Sequence, residues 1–168
     1  GKSDISVTFQ SARTELPVTF IDLAKNERFT EPLPTFDALQ LKADLVRKRP
    51  KAYILPDTCI VQAEKLRALG LEVEQAPKAF TTTVEKYIVT EYKKAKKEWE
   101  KSFPVTVSTR VIKEKKCFPA GCFIIRLSQK NANLAVTLLE PESMNGFVNF
   151  NVIHTGSGEE LPIYRKGF

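Results

Sequence analysis

Glu140-Pro141-Glu142 sets two carboxylates on either side of a proline, a spacing at which one acid could donate a proton and the other accept one. No partner constellation or cofactor loop converges on the pair in the linear sequence, so capping and hydrogen bonding to the following turn is the simpler use. His154 is the single histidine of the chain. Serine and cysteine triads need an imidazole with an orienting partner, and catalytic zinc usually takes two or three histidines with carboxylates. Beside Gly156 and Gly158, His154 reads as a surface residue.

The three cysteines, Cys59, Cys117 and Cys122, lack C-x-x-C spacing and would need His154 as a fourth metal ligand. Cys117 and Cys122 bracket the Pro119 turn and could face each other across a hairpin. In an oxidising compartment a disulfide closing so small a loop would contribute roughly 2 kcal/mol, whereas two buried thiols are the simpler reading. Cys59 falls in the first turn of an expected helix, where the macrodipole can lower a thiol pKa, but apolar packing suffices to explain it. Tyr92, Lys93, Lys94, Lys96, Lys97 and Trp99 make a candidate binding surface in which aromatic rings stand among cations. Gly1-Lys2-Ser3 imitates the end of a phosphate-binding loop without the upstream glycine and strand.

The elements that must position these residues can be read in chain order. Ile5 to Phe9 alternates and Val18 to Leu23 is β-rich, so both are expected strands; Glu31-Pro32-Leu33-Pro34 reads as an extended connection, and Thr35 to Arg49 as partly strand-like. Ala52 to Leu55, closed by Pro56, has the shape of a buried strand. A helix follows, capped by Asp57 or Thr58, with Ile60, Ala63, Leu66 and Leu69 on its apolar face. Gly70 stands where a left-handed C-terminal cap is wanted, with Leu71 folding back on Leu66. Leu71 to Gln75 would complete a strand-helix-strand unit, its strands parallel if they share a sheet.

Thr81 to about Thr90 is an expected strand followed by a short charged helix pairing Lys94 with Glu98 and Lys96 with Glu100. Phe103 to Ile112 and Cys122 to Leu127 would flank Pro119 as a hairpin. Ser128 is a candidate N-cap for a helix carrying Ala132, Ala135, Val136, Leu138 and Leu139, which Pro141 stops near Leu139. Asn145-Gly146 signals a turn before a strand over Phe147 to Ile153, and Leu161 to Arg165 closes the chain as a strand after a Gly and Ser loop.

At 168 residues and 42% apolar composition, one domain burying roughly 70% of its unfolded surface is expected. No apolar run approaches the roughly 18 residues of a membrane span, and no secretory signal pattern opens the chain, which reads as soluble. A start at Gly1 rather than methionine reads as a piece cut from a larger protein. The net charge of +6 comes from 26 basic and 20 acidic residues, with the excess at Arg47 to Lys51 and Lys93 to Lys101. Solvated loop or helix faces explain both runs more simply than nucleic acid does.

Several motifs in order along the chain carry a family resemblance. They are Pro50-Lys51-Ala52-Tyr53-Ile54-Leu55-Pro56, Phe118-Pro119-Ala120-Gly121, Ala132-Asn133-Leu134-Ala135 with Leu138-Leu139-Glu140-Pro141-Glu142-Ser143, and Leu161-Pro162-Ile163-Tyr164-Arg165. Together they resemble the carboxy-terminal accessory region of bacterial zinc carboxypeptidases of the carboxypeptidase A-like class, most clearly over residues 50–168 and loosely over 1–49. The family's zinc ligands and general base lie in a preceding catalytic domain, so the resemblance implies no catalytic, cofactor-binding or metal residue here. It departs from the family at Met144-Asn145-Gly146, Phe150 and His154, where acidic residues, a tryptophan and an aspartate are usual.

The expectation is therefore an α+β domain with a mixed sheet, one strand-helix-strand unit and a second helix near the carboxy end. Its implied role is a non-catalytic accessory domain of a secreted or periplasmic carboxypeptidase-like protein. The catalytic domain of the same chain would be its partner, and zinc would be held only in that domain. The competing expectation is a module binding a polyanion or glycan through the lysines and aromatics around Trp99; a stand-alone enzyme would need a constellation invisible in linear spacing.

Overall fold

Alternation along the first third of the chain builds a long two-stranded ribbon in the computed structural model, which describes residues 4–99 and 101–167, leaving aside the side chains of 37–39. Strand β1 (Ile5–Asp22) pairs antiparallel with β2 (Glu27–Arg47), from Ile5 opposite Arg47 to Asp22 opposite Glu27. The two short strands expected at Ile5 to Phe9 and Val18 to Leu23 are thus parts of one strand, and the supposed connection Glu31 to Pro34 lies inside β2. Proline signals a break in a sheet interior, where its missing N–H leaves a gap in the ladder. Here Pro17 faces Pro32 and Pro34 faces Glu15, positions of the same parity. A ribbon of two strands accommodates them where N–H and C=O groups point outward. The Asp22 carboxylate closes the tip by accepting from the amides of Ala24 and Lys25 at 2.9 and 3.2 Å.

The body is a six-stranded sheet. Its strands are β3 (Ala52–Leu55), β4 (Glu74–Gln75), β5 (Phe80–Lys94), β6 (Val105–Phe118), β7 (Phe123–Arg126) and β8 (Glu160–Lys166), in the order β4-β7-β3-β8-β5-β6. Neighbours run antiparallel, and β3 and β4 point the same way on either side of β7. β3 lacks polar alternation because it is covered on both faces. Tyr53 and Leu55 enter the larger core with helices α1 (Ile60–Ala68) and α2 (Ala132–Leu139), while Ile54 joins Val84, Phe118, Cys122 and Tyr164 beneath. The expected α+β class, with a strand-helix-strand unit (β3-α1-β4) and a second helix near the carboxy end, is the observed one, and the ribbon adds a second, two-stranded sheet.

Both helices end where local chemistry says they must. Gly70 adopts φ +82°, its amide donates to the Arg67 carbonyl at 2.9 Å, and the Leu71 amide donates to the Leu66 carbonyl at 3.0 Å, the paired bonds of a Schellman cap. Glu140 leaves α2 in extended geometry ahead of Pro141. The starts differ from expectation: Cys59 and Asn131 occupy the N-cap positions, neither with a side-chain capping bond. Asp57, Thr58 and Ser128 are not the caps, and Asn131 instead donates to the Gly70 carbonyl at 3.1 Å, tying the two helices' ends together.

Three further expectations fail through non-local pairing. β5 continues to Lys94 because Tyr92 and Lys94 have partners in Val107 and Val105, and a ladder outcompetes a helical spacing of apolar residues. No helix follows among the described residues; the Lys94 ammonium lies 5.3 Å from the Phe103 ring centroid, and the expected Lys96–Glu100 pair involves a residue outside the described ones, as does Gly1-Lys2-Ser3. β6 pairs with β5, so it forms no hairpin with β7, which lies between β4 and β3 with three strands separating it from β6. Phe147 to Ile153 forms turns rather than a strand. The Val152 and Ile153 amides both donate to the Phe147 carbonyl, and Asn151 adopts φ 56°, which plugs Phe147, Val148 and Ile153 into the core.

Candidate functional site

The face of the sheet beneath α2 is lined by odd-numbered residues of four strands, and they converge on the turn that Pro141 creates. Register places Tyr53, Arg165 and Glu85 in one row across β3, β8 and β5, and Thr109 of β6 opposite Val89. Glu140 enters above this row with its side chain fully buried. It accepts from Tyr53 Oη at 2.5 Å, Tyr87 Oη at 2.8 Å and Arg47 Nη1 at 2.9 Å, and Arg165 Nε stands 3.5 Å away. Glu142 receives both prongs of Arg47, Nη1 to Oε2 at 2.7 Å and Nη2 to Oε1 at 2.8 Å, and the Thr109 amide and hydroxyl at 3.0 and 2.6 Å. Arg165 also donates to Glu85 at 2.8 Å and to the Lys48 carbonyl.

A charge buried this deeply is tolerable only when fully partnered, and the partners set its electrostatics. Burial pushes the Tyr53 and Tyr87 phenols well above their usual value, and the adjacent Glu140 charge pushes them further. Burial by itself would lower the Arg47 pKa; hydrogen bonding and charge from Glu142, with Tyr87 and Glu140, raise it instead, so Arg47 stays cationic. Its guanidinium also lies 5.2 Å from the Tyr87 ring centroid. The Glu140-Glu142 pair thus has no accessible acid to offer a substrate. A cavity of about 220 Å³ between β1 and α2 runs past Val7, Phe9, Val136 and Ser143, but the Glu140 carboxylate is spent on its donors. The arrangement joins the ribbon, the sheet and the α2 turn in one ionic knot.

The other candidate residues stay apart from the knot and from one another. His154 is exposed, and among the described residues no group of three or more His, Cys, Asp or Glu side chains converges as a metal set. One exposed imidazole does not fit a zinc centre built from two histidines and a glutamate. Cys117 and Cys122 do not form a disulfide: Cys117 is an exposed free thiol on β6 and Cys122 a buried one facing the smaller core. The hairpin expected to bring them face to face is absent. Cys59 is a buried free thiol whose pKa burial raises, which removes the activated-thiol reading.

Tyr92, Lys93, Lys94, Lys96, Lys97 and Trp99 are all exposed at the end of β5 and in the segment after it, Trp99 at 63%. Arg47, Arg165, Tyr53, Tyr87 and Thr109 are what sequence reasoning missed. Tyr53 and Arg165 stood inside the family-like motifs and Arg47 at the head of a basic run, but nothing local marks them as partners of one carboxylate.

Comparison with known proteins places this α+β chain beside carboxypeptidases. It is 29% identical over 165 residues to carboxypeptidase 2 of Trichophyton tonsurans and equally to that of Trichophyton equinum, covering 98% of this chain and 31% of each relative. Carboxypeptidase 2 of Trichophyton rubrum is 27% identical over the same length. The chain therefore spans about a third of the length of the curated relatives it matches. These relatives are fungal, which does not support the bacterial affiliation expected from the motifs. No family model matches the chain, and no solved structure matches it.

Proposed function

We propose that this chain is a non-catalytic, carboxy-terminal accessory segment of a secreted zinc-carboxypeptidase-type protein, which packs on the peptidase portion and supports its fold or shapes substrate access. The observation that carries the reading is the match of 98% of the chain to 31% of proteins named carboxypeptidase 2. The sealed state of the Glu140-Glu142 pair supports it, because the residues best suited to acid-base work are committed to holding the structure together. No helix among the described residues is long and apolar enough to cross a membrane. Zinc, in this reading, is bound by the peptidase portion alone.

The test is release of carboxy-terminal amino acids from peptides, with zinc measured by mass spectrometry. The 168-residue chain should show neither turnover nor stoichiometric zinc, while the full polypeptide encoded with it shows both; turnover by the chain alone would sink the reading.

A second reading is favoured by one observation, the exposure of Trp99 and Tyr92 beside Lys93, Lys94, Lys96 and Lys97. It assigns this end of β5 to a polyanion or glycan. Titration with heparin over a salt series should then give an affinity that falls steeply with salt, and absence of binding at low salt removes it.

A further inference from the structure

Beyond its root, both faces of the β1–β2 ribbon are open, and one of them is largely apolar. Residues directly opposite in an antiparallel pair share a face. In this register, Thr14 with Thr35, Leu16 with Leu33, Val18 with Glu31, Phe20 with Phe29 and, at the tip, Asp22 with Glu27 form one face. Arg13 with Phe36, Glu15 with Pro34, Pro17 with Pro32, Thr19 with Thr30 and Ile21 with Arg28 form the other. The first face is an apolar stripe interrupted by Glu31 and bounded at the tip by Asp22 and Glu27. Its rings already pack on each other, Phe20 on Phe29 with centroids 5.5 Å apart, yet Leu16, Phe20 and Phe29 remain 39%, 37% and 43% exposed.

A two-stranded ribbon of strands 18 and 21 residues long spans about 60 Å at the usual strand rise. Such ribbons are marginal in water without a surface to lie on. The three prolines exclude one way of finding it, because they remove outward-pointing N–H donors from both edges. Addition of a further strand is therefore disfavoured, and the ribbon must bind through its face.

The comparisons bear on what that surface is. The alignment takes in 165 of the 168 residues, so the ribbon belongs to the segment shared with the carboxypeptidases, and more than two thirds of their length lies outside that segment. A second copy is the weaker occupant, since two chains of net charge +6 repel each other. We propose that the apolar face of the ribbon, centred on Leu16, Val18, Phe20, Phe29 and Leu33, is the docking surface for the peptidase portion of the same polypeptide. This rests on the accessory-segment reading above.

A photo-cross-linking phenylalanine analogue placed singly at Val18 or Phe29 of the full polypeptide, with Thr19 and Thr30 on the opposite face as controls, tests it. Irradiated protein of monomer mass should yield cross-linked peptides from outside the 168-residue segment at Val18 and Phe29 and only background at the controls. Adding F20D should cut that yield by roughly tenfold, the change expected when one buried aromatic is replaced by a charge. Cross-links confined to species of dimer mass, equal yields from both faces, or no cross-link to the rest of the chain would overturn the proposal. Carboxypeptidase assay of the same preparation separates the two claims. An active polypeptide without cross-links refutes the docking surface and leaves the accessory reading standing, whereas an inactive, zinc-free polypeptide that cross-links overturns the partner's identity.

Discussion

Arg47 grips Glu142 with both guanidinium nitrogens, at 2.7 and 2.8 Å, although 95 positions separate the two residues. The contact ties the last residue of β2 to the turn that follows α2, so the ribbon and the helix layer share one anchor. The same guanidinium reaches Glu140 and Thr109. Deleting it would strand two buried carboxylates rather than remove a single bond.

Arg47→Met should therefore destabilise the fold by roughly 3–5 kcal/mol, the usual cost of leaving a buried charge without its partner. Urea denaturation followed by Trp99 fluorescence and by far-ultraviolet dichroism measures it. Loss of amide protection should begin at the ribbon root, around Ile5 and Val46. A cost below about 1 kcal/mol, the range of exposed ion pairs, would contradict the buried knot.

Tyr53 and Tyr87 donate to different oxygens of Glu140, and each replacement by phenylalanine leaves one lone pair without a donor in a dry site. Each single variant should lose about 1–3 kcal/mol. The double variant should depart from the sum, because both phenols serve one charge. Thermal denaturation of the four proteins closes the cycle, and strict additivity would mean that the two bonds do not compete for the same carboxylate.

The contrast between what was legible and what was not follows sequence separation. Pro141 ends α2, Gly70 caps α1 and the unbroken apolar run of Ala52–Leu55 makes a strand buried on both faces; each is written within a few residues. The Arg47–Glu142 pair, the row from Tyr53 through Arg165 to Glu85, and the choice of β5 rather than β7 as partner of β6 depend on strand order, which no local spacing encodes. Pro32 and Pro34 misled for a related reason. Their missing donors disqualify them from a sheet interior, and only the knowledge that β1 and β2 form a ribbon with open edges readmits them. The carboxylates of the candidate site were visible from the start, and their role was not, because role depends on partners drawn from five strands.

The thiols offer a direct count. Cys117 is exposed, while Cys59 and Cys122 are buried with pKa values raised chiefly by burial. A chromogenic disulfide reagent at neutral pH should report one fast thiol in the folded protein and three after denaturation. Only one thiol after denaturation without reductant would mean that Cys117 and Cys122 had been oxidised to a bridge, against the arrangement of β6 and β7.

Two groups set opposite ends of the pH dependence. Burial works to raise the Glu160 pKa, but hydrogen bonds from Lys86, Tyr164 and Lys116 outweigh it and hold the carboxyl down to about 2. Between its ordinary value of 4.5 and about 2, the unfolded chain binds the proton that the folded chain refuses. Stability from this carboxylate is thus fully present above 4.5 and drains away as the pH falls through that window. The phenols of Tyr53 and Tyr87 run the other way. Their folded pKa values lie well above the ordinary 10.0, so above pH 10 the unfolded chain loses protons that the folded chain keeps, and stability falls as the pH rises. Denaturation midpoints taken across the full range should decline at both ends. In Glu160→Gln the acid-side decline should flatten between 4.5 and 2. In the double phenylalanine variant of Tyr53 and Tyr87 the alkaline decline should flatten while the acid side is unchanged. Tyr164, Lys86 and Lys116, whose pKa values are also raised, leave a residual alkaline decline, so it is a decline as steep in the double variant as in the parent that would show that the two tyrosines ionise in the folded protein, and that Glu140 does not hold them protonated.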